Sequence, residues 1–249
     1  MNVSSMSDRQ RHALRYRSVS HLQALATLLQ HTRRADANEI IVNEGAMPSR
    51  VLLIAEGWAI RYKTLPDGRR QILDFLLPGD IVGLFSVLFD RTEYGVQALT
   101  PMTLRSVGAK RIITELVQSS HFAVTLSWLA GSAELRTDEQ LTRIGRRNAE
   151  ERMAHLFVEL YRRLKRSGLQ DTASRHLPVT QRALADHLGM SQVHANRTFR
   201  SLVRQGSVAL RDGEVLLLDL SELVRLAGFD AAYLDHTPVE AGTPQYSCA

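Results

Sequence analysis

From residue 39 to 107 the apolar positions come in short runs separated by turn residues: IIV (40–42), VLLIAEG (51–57), WAIRYK (58–63), QILDFLL (71–77), IVGLF (81–85), Val96–Leu99 and Met102–Val107. WAIRYK alternates between two faces, and Pro66-Asp67-Gly68 and Pro78-Gly79-Asp80 supply turns. Many short strands with regular turn signals predict a small barrel or roll. On either side the period changes to that of helices. His21 to His31 reads as a short amphipathic helix with Leu22, Leu25, Leu28 and Leu29 on its apolar side. Lys110–Gln118 is a short helix and Ser120 to about Arg146 a long one. The long helix carries Phe122, Leu126, Leu129 and Ala133 at 4-3-4 spacing, is interrupted by Arg136 and resumes at Leu141 and Ile144. That is a coiled-coil-like seam, assigned to dimerisation in preference to packing on the chain's own roll. Asn148 and Glu151 form a capping box that opens a helix from Ala149 to about Lys165, closed by Ser167-Gly168.

Leu177 to Gly206 reads as two short helices around a tight turn. Thr180 is the expected N-cap of the first, whose face carries Leu184, Ala185 and Leu188, and Gly189 stands where a left-handed residue is wanted. Ser191 caps the second, Gln192 to about Gln205, with Ala195, Phe199, Leu202 and Val203 as its apolar stripe. The outward positions hold Gln192, His194, Asn196, Arg197, Arg200 and Arg204. This is the pattern of a helix-turn-helix, whose second helix enters a DNA groove. Val208–Leu210 and Val215–Leu218 flank Arg211-Asp212-Gly213, a hairpin signal that adds a wing. A short last helix spans Ser221–Ala227, and residues from about 236 form a tail.

Charge agrees with a polyanionic partner. The 249 residues carry a formal net charge of +5 and a pI near 9.7. Residues 175 to 211 hold six arginines against one acid, Asp186. A cationic face binds double-stranded DNA by releasing counterions, and the planar guanidinium pairs with phosphate or guanine. The alternative for these arginines is a solvated helix face. The four arginines at 9, 11, 15 and 17 read as a solvated terminus. Cys248 is the only cysteine, which excludes an intrachain disulfide and any all-cysteine metal site. No apolar run approaches 18 residues and no signal-peptide core opens the chain, so no membrane partner is expected and the place is the cytoplasm of a bacterium. Paired carboxylates, nucleophile triads, Walker loops and metal spacings are missing, so the chain is not expected to be an enzyme, and Asp80 fits a turn.

The order roll, long helix, winged helix-turn-helix resembles the Crp/Fnr family of bacterial transcription regulators. EGWAIRYKTLPDGRRQILDFLLPGDIVGL (56–84) and LPVTQRALADHLGMSQVHANRTFRSL (177–202) carry the resemblance, the latter like a subgroup with a His-x-Asn-Arg-Thr recognition helix. The expected fold is α+β: an N-terminal segment (1–20), a cyclic-nucleotide-binding-type β-roll (21–118), a long dimerisation helix and hinge (119–147), a winged helix-turn-helix (148–235) and a tail (236–249). The resemblance implies a homodimer on palindromic DNA, contact with RNA polymerase and a small-molecule effector or other signal sensed in the roll. Family members that bind cyclic nucleotides use a glutamate after the cassette glycine and an Arg-Ser or Arg-Thr pair. Here Leu84 follows Gly83, and Tyr94-Gly95 stand at the pair. Cyclic nucleotide is therefore not expected, the alternative being a shifted phosphate site at Arg91-Thr92. Trp58, Tyr62 and Phe85, with Arg91 and Thr92, are the candidate effector lining. The family's iron–sulfur cluster lacks its cysteines, and haem is not expected because the roll from 39 to 110 has no histidine, leaving His121 or a terminal ligand. In the best-known recognition helix a glutamate precedes the arginine by four residues; Arg197 matches the arginine, and Val193 replaces the glutamate. Gln192, His194, Asn196 and Arg197 are assigned to bases, and Thr180, Arg182, Ser191 and Arg200 to phosphates. A non-enzymatic interaction module using the basic face is the competing reading.

Overall fold

The computed structural model describes residues 27–167 and 175–236. Two four-stranded antiparallel sheets form the roll. The first runs β1 (His31–Ala35), β8 (Met102–Gly108), β3 (Arg50–Glu56), β6 (Ile81–Val82). The second runs β2 (Ile40–Val42), β7 (Gly95–Ala98), β4 (Ala59–Thr64), β5 (Arg70–Leu76). Ile54, Ala59, Leu76, Val96, Ala98 and Leu104 are buried between them. Two glycines are fixed by geometry. Gly57 sits at φ +84°, and a Cβ there would lie 2.4 Å from the Pro101 carbonyl oxygen; Gly68 takes φ +83° after Pro66-Asp67.

Two expectations change in the roll. His21 to His31 is not one helix: Leu28 ends a helical stretch, and His31–Ala35 pairs with Met102–Ser106 as a strand, while residues 21–26 lie outside the described residues. The exposed edge of β8 supplies backbone partners that local helical preference does not outweigh. Leu29 is nevertheless core, as its apolar pattern implies. The run IVGLF is strand only at Ile81–Val82, because Gly83 at φ +80° turns the chain into a 3₁₀ turn at Ser86–Leu88.

Six helices follow in order: α1 (Ala109–Gln118), α2 (Ser120–Arg146), α3 (Ala149–Ser167), α4 (Gln181–Leu188), α5 (Gln192–Arg204) and α6 (Leu220–Ala227). The capping box is reciprocal: the Asn148 N–H donates to Glu151 (2.9 Å), and the Glu151 N–H donates to Asn148 Oδ1 (3.1 Å). A third antiparallel sheet, β10 (Val208–Arg211), β11 (Glu214–Leu217) and the short β9 (His176–Leu177), forms the wing. Asp212 and Gly213 both have positive φ, 53° and 81°, as a two-residue hairpin of primed type requires. Every residue of α3 from Met153 to Leu160 is buried, as befits a helix enclosed on all sides. Trp58, Ile60, Ile72 and Phe75 of the roll share one core with Phe157, Leu184, Leu188 and Phe199, so the two halves of the chain are joined by apolar packing. Among the described residues no helix is long and apolar enough to cross a membrane.

Candidate nucleic-acid interface

The helix-turn-helix is built by its caps. The Thr180 hydroxyl accepts from Ala183 N (3.2 Å) and the Ser191 hydroxyl from His194 N (3.2 Å), while Gly189 takes the left-handed conformation at φ 64°. These close the orphan backbone groups of two short helices and set the turn between them. Ala195, Phe199 and Leu202 bury one face of α5, and Phe157 meets Phe199 edge-on with centroids 6.4 Å apart. Val203, read as part of that stripe, is 40% exposed.

The other face of α5 is open. Gln192, Val193, His194, Arg197, Arg200 and Arg204 are exposed, Asn196 is half-buried, and Thr180, Arg182 and Ser191 are exposed beside them. Val193 is 73% exposed. Arg182, Arg197, Arg200, Arg204 and Arg211 make no ion pair with an acid among the described residues. Asp186 points away from this face: its Oδ2 accepts from Arg70 Nε and Nη2 of the roll at 3.2 and 3.0 Å. One ion pair thus removes the acid from the cationic surface and clasps α4 to β5.

Beneath the helix-turn-helix lies a buried polar cluster that sequence reasoning missed. Arg143 of α2 is 1% exposed. It donates to His155 Nδ1 (3.1 Å), to His187 Nε2 (3.3 Å), to Gln140 and to Glu159. His187 Nδ1 in turn donates to the Ile72 carbonyl (3.2 Å), which leaves Nε2 as an acceptor. Burial and then Arg143 push His155 down to about 3 and His187 down to about 4, so both rings are neutral. Arg163 of α3 donates to Asp74 (2.9 Å), to Asp80 (2.8 Å) and to the Phe75 carbonyl (2.8 Å) of the roll. Burial would raise the Asp74 carboxyl, but Arg163, Arg136 and Arg61 outweigh it and hold the group well below the usual carboxylate range. Burial likewise opposes Arg143 and Arg163 at Glu159, which comes down to about 2 and also accepts from the Tyr233 hydroxyl (2.8 Å). His155, Glu159 and Arg163 fall four residues apart on α3, one polar stripe beside the apolar residues Leu156, Leu160 and Leu164; that spacing was the available signal. Asp80 both closes its turn, accepting from Leu77 N at 2.8 Å, and pairs with Arg163.

The proposed seam on α2 faces inward. Phe122, Leu126 and Leu129 are 1%, 4% and 8% exposed and pack with Leu53, Leu84 and Val107 of the same chain's roll. They are spent within one chain, so their assignment to dimerisation is corrected. Ala133 and Ile144 are half-buried, and of the six only Leu141, at 71%, is exposed. The reason is rotational: Val124, Trp128, Gly131 and Leu135 repeat the same 4-3-4 spacing two residues later, about 200° round the helix, and Val124 is exposed while the other three are half-buried.

The effector lining is also corrected. A cavity of about 90 Å³ lies between the roll and α2, and of Trp58, Tyr62, Phe85, Arg91 and Thr92 only Phe85 borders it. Trp58 is core, and Tyr62 lies under the Arg70 guanidinium at 5.4 Å. Arg91 pairs with Glu93 at the surface, and the buried Thr92 hydroxyl donates to the Asn43 carbonyl at 2.9 Å. Tyr94 does border the cavity, its hydroxyl 3.0 Å from that of Ser86.

A capped helix-turn-helix with a wing, joined through a long helix to a sensor-type roll, defines a DNA-binding transcription regulator. Residues 32–119 match the cyclic nucleotide-binding domain family, and residues 151–226 match the Crp-like helix-turn-helix domain family. The chain is 30% identical over 201 residues to the transcriptional activatory protein AadR of Rhodopseudomonas palustris, covering 80% of this chain and 82% of that one. It is 29% identical over 192 residues to the nitrogen fixation regulation protein FixK of Bradyrhizobium diazoefficiens, covering 77% and 79%. Its fold is similar to the structure of FixK2 from Bradyrhizobium japonicum, with a TM-score of 0.71, 25% identity, and coverage of 79% of this chain and 96% of that one. The chain belongs to the Crp/Fnr family of transcription regulators.

Proposed function

We propose that the chain acts as a homodimer on a palindromic DNA site, each protomer laying α5 in the major groove of one half-site. The observation that carries this is the face of α5: a capped helix with Arg197, Arg200 and Arg204 exposed and unpaired with any acid among the described residues. Gln192, His194, Asn196 and Arg197 read base edges, and the exposed Val193 meets a thymine methyl where a glutamate would accept from cytosine. Thr180, Arg182, Ser191 and Arg200 hold phosphates and set the register. Base contacts of this kind follow the His-x-Asn-Arg-Thr pattern of the subgroup. The partner packs on the outer stripe of α2, Val124, Gly131 and Leu135, with Leu141 beyond it.

The action is binding, not catalysis, and it takes place in the cytoplasm, where contact with RNA polymerase turns occupancy into a change in transcription. The roll senses a signal other than cyclic nucleotide, iron–sulfur cluster or haem. Leu84 at the place of the ribose-binding glutamate, with Tyr94 at the place of the phosphate-binding arginine, supports the first exclusion. Salt dependence tests the DNA contacts. Affinity for a fixed operator should fall linearly with salt on logarithmic axes, and Arg182→Ala or Arg200→Ala should each lower the slope by about 2 for a dimer, one phosphate per protomer. A slope unchanged in both variants would remove these side chains from the phosphate set.

A further inference from the structure

Two copies of α5 meet one palindrome only if each is held at a fixed angle to α2, the helix that carries the proposed partner contact. The joint between α2 and α3 sets that angle, and it is built from charges. Arg143 of α2 meets His155 (3.1 Å) and Glu159 of α3. Glu139 of α2 lies 3.0 Å from His155 Nε2 and 2.7 Å from Arg147 Nη1. Among the described residues, none of α2 belongs to the apolar core that unites the roll with the helix-turn-helix; its buried Phe122, Leu126 and Leu129 pack on the roll. Aromatic cover for the joint comes from the end of the chain. Gly228, at φ 54°, ends α6 and turns the chain back. The Phe229 ring packs 4.8 Å from the His155 ring, and the Tyr233 ring stacks on the same imidazole at 6.3 Å and 19°. The two aromatics meet edge-on at 6.0 Å. Tyr233 donates its hydroxyl to Glu159 at 2.8 Å, and the 3₁₀ turn Ala232–Leu234 packs against α2. Asp235 pairs with Arg166 of α3 at 2.6 Å.

This segment touches both sides of the joint and lies away from the DNA face. Phe157 of α3 meets Phe199 of α5, whereas His155 and Glu159 stand two residues before and after it, about 200° round the helix. Gly228–Asp235 thus lies across α3 from the recognition helix. Glu159 keeps Arg143 and Arg163 without Tyr233, so the hydroxyl is not needed to neutralise the carboxylate. What Tyr233 adds is direction: a ring laid on His155 and a donor fixed on the same carboxylate that Arg143 of α2 holds. We propose that Gly228–Asp235 is a strap that fixes the angle between α2 and the helix-turn-helix, with Tyr233 as its positioning residue, and so sets the half-site spacing the dimer accepts. The strap assignment stands on the joint between α2 and α3; its consequence for spacing rests on the reading of the chain as a dimeric DNA-binding regulator.

Two measurements on the full chain test it. Hydrogen exchange reads the joint without DNA: Tyr233→Ala should speed exchange of the amides from 143 to 152 by about tenfold or more and leave those of α5 unchanged. Fluorescence anisotropy reads the consequence. Its probes are the palindrome selected from a random pool, the same palindrome with one base pair added or removed between half-sites, and a duplex with one half-site. The wild type should favour its own spacing by about tenfold or more over either neighbour. Tyr233→Ala should reduce that preference below about threefold while half-site affinity stays within about twofold of wild type, and Tyr233→Phe, which keeps the ring, should hold the preference above about fivefold. Tyr233→Leu takes the place of Tyr233→Ala if the latter does not melt cooperatively. Unchanged exchange at the joint would overturn the strap. So would an unchanged spacing preference, or a loss of half-site and palindrome affinity together. Faster exchange at the joint in a chain that selects no palindrome would instead overturn the dimeric reading and leave the strap standing.

Discussion

Arg143 is tolerated in the core because Glu159 pairs with it and both histidines that meet it are neutral. Protonating His155 or His187 would set a second cation within hydrogen-bonding distance of a buried guanidinium. Both rings have folded pKa values below the ordinary 6.5, about 3 and about 4. The unfolded chain therefore binds more protons than the folded one between those values, and stability falls as pH drops through that window. The melting temperature should be level above pH 7, decline from about pH 6.5 and continue to fall to pH 4. His187→Asn, whose amide can still donate to the Ile72 carbonyl, should show a shallower decline. A melting temperature constant from pH 7.5 to 5 would show that these rings are not held neutral. Arg163→Met should cost about 3–5 kcal/mol in chemical denaturation, because it leaves Asp74, Asp80 and Glu159 buried with fewer partners. Gly57→Ala should cost more than about 2 kcal/mol, since the added Cβ meets a carbonyl oxygen at a positive φ. At this scale the sequence was readable wherever a side chain acts on its own neighbours. Thr180, Ser191, Gly189 and Asn148 take the capping roles their spacing predicts. Arg143, His187 and Asp74 come together from positions up to 113 residues apart, and no local pattern encodes such a meeting.

Among the elements, the helices of the DNA-binding half keep their predicted places because cap, apolar stripe and turn glycine agree within each. Ser191→Ala should therefore cost about 1 kcal/mol and, by loosening the first turn of α5, weaken DNA binding along with stability. Equal DNA affinity at equal folded fraction would separate the cap from recognition. Strand β1 was not legible, since HTRRA carries no alternation and is held by pairing with β8. The long helix was legible in extent but not in orientation. Two apolar stripes share one spacing, and only the packed structure shows that Phe122, Leu126 and Leu129 belong to the roll. Leu135→Glu on the outer stripe should shift sedimentation from dimer to monomer with little loss of melting temperature, whereas Leu126→Glu should unfold the roll. A dimer that survives Leu135→Glu would place the interface elsewhere.

For the molecule as a whole, the two halves are not beads on a hinge. A shared apolar core, the Arg70–Asp186 clasp and Arg163 on two roll carboxylates tie the helix-turn-helix to the roll, yet α5 keeps its basic face open. Anything that alters Asp74 or Asp80 reaches α3 directly, which gives the roll a physical means of acting on the DNA-binding helices. The joint was invisible in the sequence because its members, Arg70, Asp74, Asp80, Arg163 and Asp186, stand up to 116 residues apart and no local pattern pairs them. On the proposed function, α5 reads sequence through its outward face, two copies at a time. Selection of bound DNA from a random pool, with the wild-type chain and Arg197→Ala side by side, tests it most directly. The wild type should enrich a palindrome with half-sites about one helical turn apart, and the variant should lose the preference while still binding DNA at low salt. Recovery of the same site by Arg197→Ala, or of an asymmetric site by the wild type, would contradict it.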